Sequence, residues 1–272
     1  MGTEKPRMID IITLSELGCR VAKRLQGALP NSVIHVQDKA VETCANARMF
    51  ECAHMKAFLR TSDLIAECFN TTEGIVFIGP CGIMVRALAP LIKSKLSDPP
   101  IVVVDVMGRY AVSLLSGHEG GANDLTLQVA NIIGAEPVIT TTSDAEKNLI
   151  VGVGCRKDAP VEAIVEAIRF ALETAHVSID DVRLLASADI KAEEPGLLEA
   201  SKQLGIPLRL IASDEIRACT REFAPTPLAQ EKVNLPAVAE PVALLAGRRT
   251  QLIQNRINRN GVTVAIARES SL

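Results

Sequence analysis

Short apolar runs alternate along this chain with longer stretches whose apolar positions return every three or four residues. In the first half, Met8–Ile12, Ser32–Val36, Gly74–Gly79 (GIVFIG), Ile101–Asp105 (IVVVD), Tyr110–Leu115 (YAVSLL) and Val138–Thr142 read as strands. The unbroken apolar character of GIVFIG and IVVVD is that of strands covered on both faces, as in a parallel sheet. Thr13 and Glu16 make a capping-box pattern for a helix with Leu14, Leu17, Val21 and Leu25 on one face, stopped by Pro30 and Asn31. Residues 38–70 predict one or two helices, and another helix runs from about Ile83 to Lys95. Asn123 is placed to cap a helix in which Leu125, Val129, Ile132 and Ile133 share a side.

A polar stretch, Ser143–Leu149, separates this half from a second series. There Ile150–Val153 reads as a strand and Gly152–Lys157 as the loop after it. A helix follows with Val161, Ile164, Val165, Ile168 and Leu172 on one face. Strands at Val182–Ser187 and Leu208–Ile211 flank a helix over Glu194–Leu204, and Ser213 caps the next. A Pro-containing loop over 224–236 leads to a helical VAEPVALLAG, and Gly261–Ala267 ends the series as a strand. This alternation predicts an α/β protein: two α/β domains with mainly parallel sheets, residues 1–145 and 150–272, joined by a short linker. No tandem repeat is visible.

Composition narrows the class. With 48% hydrophobic residues in 272, the chain can bury real cores. Aromatics are 3% and the net charge is −3, which removes both the stacking platform and the electrostatic pull expected of a nucleic-acid binder. Seven cysteines (19, 44, 52, 68, 81, 155, 219) show no C-x-x-C pair and read as reduced thiols. Neither a signal-peptide pattern nor a bilayer-length apolar run is present, so a cytoplasmic protein without membrane contact is expected.

The chemically able groups concentrate in Ser116–Asn123 (SGHEGGAN), between a strand and a helix. His118 and Glu119 are candidates for general acid–base work, since imidazole titrates near neutrality and burial shifts carboxylates. Gly117, Gly120 and Gly121 let the backbone turn and a ligand approach, and the amides near Gly120–Asn123 are candidate oxyanion donors. Arg86 and Arg109 are candidate carboxylate or oxyanion partners. In the second half, Gly152, Gly154, Arg156 and Lys157 make a candidate anion cradle, with Lys191 and Glu194 beside it. Its G-x-G has Lys157 where a dinucleotide fingerprint needs glycine, and no Walker pattern occurs, which argues against nucleotide chemistry. Five arginines (248, 249, 256, 259, 268) face no acid between Pro241 and Arg268 and read either as anion ligands or as a solvated tail. Cys81, in a Pro-Cys-Gly turn, reads as a packing residue. The four histidines (35, 54, 118, 176) have no metal-ligand spacing, so no metal site is expected. From the residues alone, the cleft suits a polycarboxylate or phosphate ligand.

Gly79–Asp144, with its SLLSGHEGGAN run, together with GVGCRKD (Gly152–Asp158), LLASADIKAEEPGLLEASKQLGIPL (Leu184–Leu208), VAEPVALLAG and GVTVAIAR, resembles the cobalamin-biosynthesis CbiG family. The resemblance is close over about the last 200 residues and loose over the first 70. Longer members carry a middle domain after the VITTTSD segment, and here Asp144 runs almost directly into GVGCRKD. What the resemblance implies is cobalt-precorrin-5A hydrolysis: water opens the δ-lactone of a cobalt-tetrapyrrole and acetaldehyde leaves, giving cobalt-precorrin-5B. Cobalt would arrive with the substrate, so no cofactor of the protein's own is expected. His118, oriented by Glu119, would activate water, with Arg86 or Arg109 at the oxyanion. Arg156, Lys157 and Lys191 would hold peripheral carboxylates. A homodimer is compatible with this reading; the rival is a non-catalytic corrinoid carrier of the same pathway.

Overall fold

A computed structural model of the chain describes residues 8–41, 55–223, 225, 230–231 and 233–270. The chain divides into two compact units, Met1–Thr141 and Thr142–Leu272, each with its own sheet.

Unit 1 runs β1 (Ile9–Thr13), α1 (Glu16–Ala28), β2 (Ser32–Gln37), β3 (Met55–Phe58), α2 (Thr61–Cys68), β4 (Gly74–Ile78), α3 (Cys81–Leu88), β5 (Ile101–Val104), β6 (Tyr110–Leu115), α4 (Ala122–Ile133) and β7 (Glu136–Val138). Among the described residues its sheet has seven strands in the order β3-β2-β1-β4-β5-β6-β7. The first five pair in parallel, β6 reverses against β5, and β7 runs parallel to β6. The reversal follows from the connection. Only 105–109 separate β5 from β6, whereas a parallel pairing needs a crossover of roughly a dozen residues or more. Cys19, Ala22, Leu25, Leu125 and Val129 bring α1 and α4 onto one face of the sheet. Leu64, Ile65, Met84 and Leu88 bring α2 and α3 onto the other, around Phe77.

Several expectations shift. Ser15, not Thr13, caps α1, its side chain accepting from the Gly18 amide. The buried face of α1 is Gly18, Cys19, Ala22 and Leu25, with Leu17 46% exposed. Gly18 decides this rotation, because a Cβ there would run into Thr13 Oγ1. The helix expected over Ile83–Lys95 is α3, which ends at Leu88 ahead of Pro90. Cys81, expected to pack, is exposed at the start of α3. Part of 38–70 is β3 and α2, and residues 42–54 of that stretch lie outside the described residues. Among the described residues Cys68, Cys81, Cys155 and Cys219 are free, whereas Cys19 is disulfide-bonded, against the expectation of reduced thiols throughout.

Two polar devices in unit 1 have measurable consequences. On β1 and β2, Asp10 Oδ1 and His35 Nε2 lie 2.7 Å apart in the core. His35→Leu strands the buried carboxylate, so unfolding in urea should show a loss of about 1–3 kcal/mol. In the β5–β6 turn, Asp105 accepts from the Arg109 amide (2.6 Å), Arg109 Nε (2.8 Å) and the Tyr110 amide (3.2 Å). Burial alone would raise the Asp105 pKa. The Arg109 side chain and the two backbone amides outweigh it and hold the carboxyl below its ordinary value of 3.8. A depressed folded pKa contributes stability above the unfolded value, lost as pH falls through the folded one. Asp105→Asn is therefore expected to lower stability by about 1 kcal/mol at pH 7. Melting curves of variant and parent should converge in acid, below the ordinary Asp range.

Unit 2 runs α5 (Thr142–Ala145), β8 (Leu149–Cys155), α6 (Val161–Thr174), β9 (Val182–Ala188), α7 (Pro195–Leu204), β10 (Leu208–Ile211), α8 (Ser213–Arg217), α9 (Ala239–Leu245), β11 (Thr250–Arg259) and β12 (Val262–Glu269). Its sheet has the order β10-β9-β8-β12-β11. The strands β8, β9 and β10 are parallel, and β12 lies antiparallel between β8 and β11. Ile164, Ile168, Leu172, Leu197 and Ala200 pack α6 and α7 on one face. Val242, Ala243 and Leu244 pack α9 on the other, against Ile150 and Leu184.

Here too the segmentation changes. The expected loop from Gly152 begins only after Cys155, so Gly152 and Gly154 are buried strand residues. A Cβ on Gly152 would collide with the Ala239 carbonyl, so this glycine lets the first turn of α9 lie on the sheet. The arginine-rich stretch is not a tail: β11 and β12 form a hairpin through Asn260 (φ 51°) and Gly261 (φ 79°). Two successive positive φ angles make the two-residue turn that an Asn-Gly pair favours. Arg259 Nη2 reaches Glu166 at 2.6 Å, and its guanidinium stacks 4.3 Å from the Phe170 ring centre. The polar stretch expected as a linker includes α5.

Candidate functional site

The glycine-rich loop joins β6 to α4. It enters through Ser116 in the left-handed region (φ 59°) and leaves through Gly121 (φ 86°), which caps α4 in place of the expected Asn123. Asn123 is 6% exposed within the first helical turn. Its Oδ1 accepts from Ser113 Oγ (2.8 Å) and its Nδ2 donates to Thr141 Oγ1 (2.9 Å). Asn123 therefore ties the loop to β6 and to the exit of β7. The Ala122 and Asn123 amides donate to the Ser116 and Gly117 carbonyls at 3.1 and 3.0 Å, so the expected oxyanion donors at these two positions are spent. At Gly120 a Cβ would collide with the Ser116 side chain, which keeps the loop tight. Ser116 Oγ is buried with no hydrogen-bond partner.

His118 and Glu119 are both exposed on this loop. Glu119 pairs with Lys95, from the segment before β5, and that hydrogen bond holds its carboxyl below the usual range. No hydrogen bond joins Glu119 to His118, so the expected orienting contact is absent. Leu115 pairs with Ile101, which puts the loop beside the amino end of β5, away from the carboxyl ends of the parallel strands. The general rule that ligand crevices lie at those carboxyl ends therefore does not place this loop. Arg109 precedes β6 at its other end. With the six residues of β6 at roughly 3.3 Å each, it stands about 20 Å from Ser116. It is held by Asp105, as described, and so is removed from the His118 constellation. Arg86 Nη1 donates back along α3 to the Gly82 carbonyl at 2.9 Å, toward the carboxyl end of β4. The cation that does accompany the loop is Lys95, hidden in the sequence because Ile83–Lys95 reads as one helix.

The predicted binding residues of the second half converge better. A hollow of about 490 Å³ in unit 2 is lined by Gly154, Arg156, Lys157 and Lys191, with Val233, Ala237 and Val238 as apolar lining and Glu240 and Arg256 among its polar groups. Gly152 is not among its lining residues. Glu194 is not either: its side chain is 4% exposed, and its Oε2 accepts from Lys191 Nζ at 2.7 Å. The other oxygen, Oε1, is buried with no hydrogen-bond partner among the described residues. Arg156 is seated by the hairpin turn, since a Cβ on Gly261 would come within 3.2 Å of its Nε. Arg256 is paired in turn: its amide donates to Glu240 Oε1 at 3.1 Å and its Nη1 lies 3.9 Å from Oε2, with Glu240 3% exposed. Burial pushes the Cys155 thiol pKa up, with Lys191 and Glu194 acting in opposite senses. Sequence reasoning missed Glu240; its signal is a lone acid inside the apolar helix AEPVALL.

Among the described residues no helix is long and apolar enough to cross a membrane. The chain matches the family model "Cobalamin synthesis G N-terminal" over residues 63–144 and "Cobalamin synthesis G C-terminus" over 149–267. It is 24% identical to the cobalt-precorrin-5A hydrolase of Salmonella typhimurium over 359 positions, covering 98% of this chain and 99% of that one. That alignment exceeds the 272 residues here, so part of the relative has no counterpart in this chain. A cobalt-precorrin-5A hydrolase from Priestia megaterium is 34% identical over 144 residues, 52% of this chain and 37% of its own length. Protein CobE of a Sinorhizobium species is 32% identical over 133 residues, 48% of this chain and 86% of its own. With both halves matched by the models and a relative covered over most of its length, the chain belongs to the cobalamin synthesis G (CbiG) family.

Proposed function

We propose that this chain is a cytoplasmic cobalt-precorrin-5A hydrolase of cobalamin biosynthesis. In this reading water opens the δ-lactone of a cobalt-tetrapyrrole, and the two-carbon fragment leaves as acetaldehyde. The observation that carries it is the family membership, with a relative of that name aligned over nearly the whole chain. The unit 2 hollow supports it on physical grounds, since cations on an apolar-lined concavity suit a flat macrocycle fringed with carboxylates. His118 takes a proton from the attacking water as its oxygen bonds to the lactone carbonyl carbon, and the acyl–oxygen bond breaks to leave an alkoxide on the two-carbon fragment. That alkoxide becomes the aldehyde as the carbon–carbon bond to the macrocycle breaks, and the electron pair left on the ring carbon takes up the proton held by His118. Lys95, rather than Arg86 or Arg109, is the cation beside that loop, where it is paired with Glu119. Cobalt enters as part of the substrate, and the protein supplies no cofactor of its own.

The test is to incubate the purified chain with the cobalt-lactone substrate and follow both acetaldehyde and visible absorption. Acetaldehyde formed in proportion to enzyme supports hydrolysis. A spectral shift on binding with no acetaldehyde above the enzyme-free control would overturn it and leave a corrinoid-binding protein.

A further inference from the structure

Among the described residues the hollow in unit 2 carries four cations, but they are not equivalent. Lys191 is paired with Glu194, and Arg256 with Glu240, both carboxylates being almost wholly buried. Each pair has no net charge, so a ligand carboxylate pushed against either would meet the buried acid as well. Its desolvation would go largely uncompensated there. Arg156 and Lys157 differ: both are exposed, line the same hollow and form no ion pair among the described residues. The net positive charge of the hollow therefore sits on two adjacent residues just past the end of β8. Arg156 is further set in place by the turn at Gly261. Beyond them the described lining is apolar (Val233, Ala237, Val238), neutral and polar (Asn258, Thr263) or charge-compensated.

A volume of about 490 Å³ falls within the range for small-ligand pockets, roughly 300–1,000 Å³, and below what a whole tetrapyrrole with all its arms requires. The ligand must enter by one edge. We infer that Arg156 and Lys157 are specificity-determining residues that together grip two carboxylate arms of a single pyrrole edge, while the neutral interior takes the uncharged ring. This rests on the tetrapyrrole reading above and adds to it the number and placement of the carboxylates read.

Two porphyrins serve as probes: uroporphyrin, with two carboxylate arms on every ring, and coproporphyrin, with one. Titrating each into the full-length protein and following the Soret band should give about tenfold tighter binding of uroporphyrin, an energy within reach of one additional ion pair at a partly exposed site. Arg156→Met and Lys157→Met should each weaken uroporphyrin about tenfold and leave coproporphyrin nearly unchanged, bringing the two probes to parity. Equal binding of both probes by the parent protein, or a preference that survives in both variants, would overturn the inference while leaving the tetrapyrrole reading standing. If neither probe shifts its spectrum at any concentration, the tetrapyrrole reading of the hollow falls together with the inference.

Discussion

His118→Ala is expected to lower the rate of acetaldehyde release by about 10²- to 10⁴-fold, the usual contribution of a positioned general base. Binding of the cobalt-tetrapyrrole, followed by its visible spectrum, should hardly change, because the hollow in unit 2 does not include this residue. The exposure of His118 makes the experiment clean, since an alanine on a surface loop leaves no cavity. Glu119→Gln gives the informative contrast. The Glu119 carboxylate is bound to Lys95 rather than to the imidazole, so the variant should lose far less activity than His118→Ala. A rate within a factor of two of the parent for His118→Ala would remove this residue as the base.

Lys191→Met is expected to be the costliest single change to stability. It leaves the Glu194 carboxylate, 4% exposed, with neither oxygen paired. Breaking a buried ion pair from one side costs about 3–5 kcal/mol, whereas removing both partners costs much less. Lys191→Met combined with Glu194→Leu should therefore recover most of the loss in urea unfolding. Equal instability of the single and double variants would show that Glu194 is not held by Lys191. This experiment also separates the two cation classes in the hollow, because Arg156→Met and Lys157→Met strand no buried acid and should unfold like the parent.

The most legible parts of the sequence were those where local pattern and tertiary role coincide. The runs GIVFIG and IVVVD became β4 and β5, buried through and through, because a strand covered on both faces has no polar positions to hide. The helix with Val161, Ile164, Val165, Ile168 and Leu172 became α6 for a similar reason: one apolar face, one sheet to meet. Arg156, Lys157 and Lys191 were picked out as anion ligands and do line one hollow, although they lie more than thirty residues apart. Two hairpins were readable but missed. The interval between β5 and β6 is too short for a crossover, and Asn260–Gly261 is a strong turn pair that marks β11 as the partner of β12.

Other features had no local signature. Strand direction cannot be seen in an apolar run, so nothing local shows that β6 carries the loop with His118 to the amino end of β5. Pairing across long intervals is equally invisible: Lys95 with Glu119, Asp10 with His35, and Arg256 with Glu240. Even the glycines changed meaning, since Gly152 in GVGCRKD proved to be the space into which the Ala239 backbone fits.

By itself, then, the sequence determined the α/β class, the family, and which residue types carry chemistry, because hydrophobic period and motif are properties of neighbouring residues. Only the tertiary structure decided which charges stay available to a ligand: Glu240 on α9 reaches Arg256 on β11, while Arg156 and Lys157 meet no acid among the described residues. The physical reason is range. Periodicity is set within a few residues along the chain, whereas a charge answers to whatever the fold brings within a few ångströms of it.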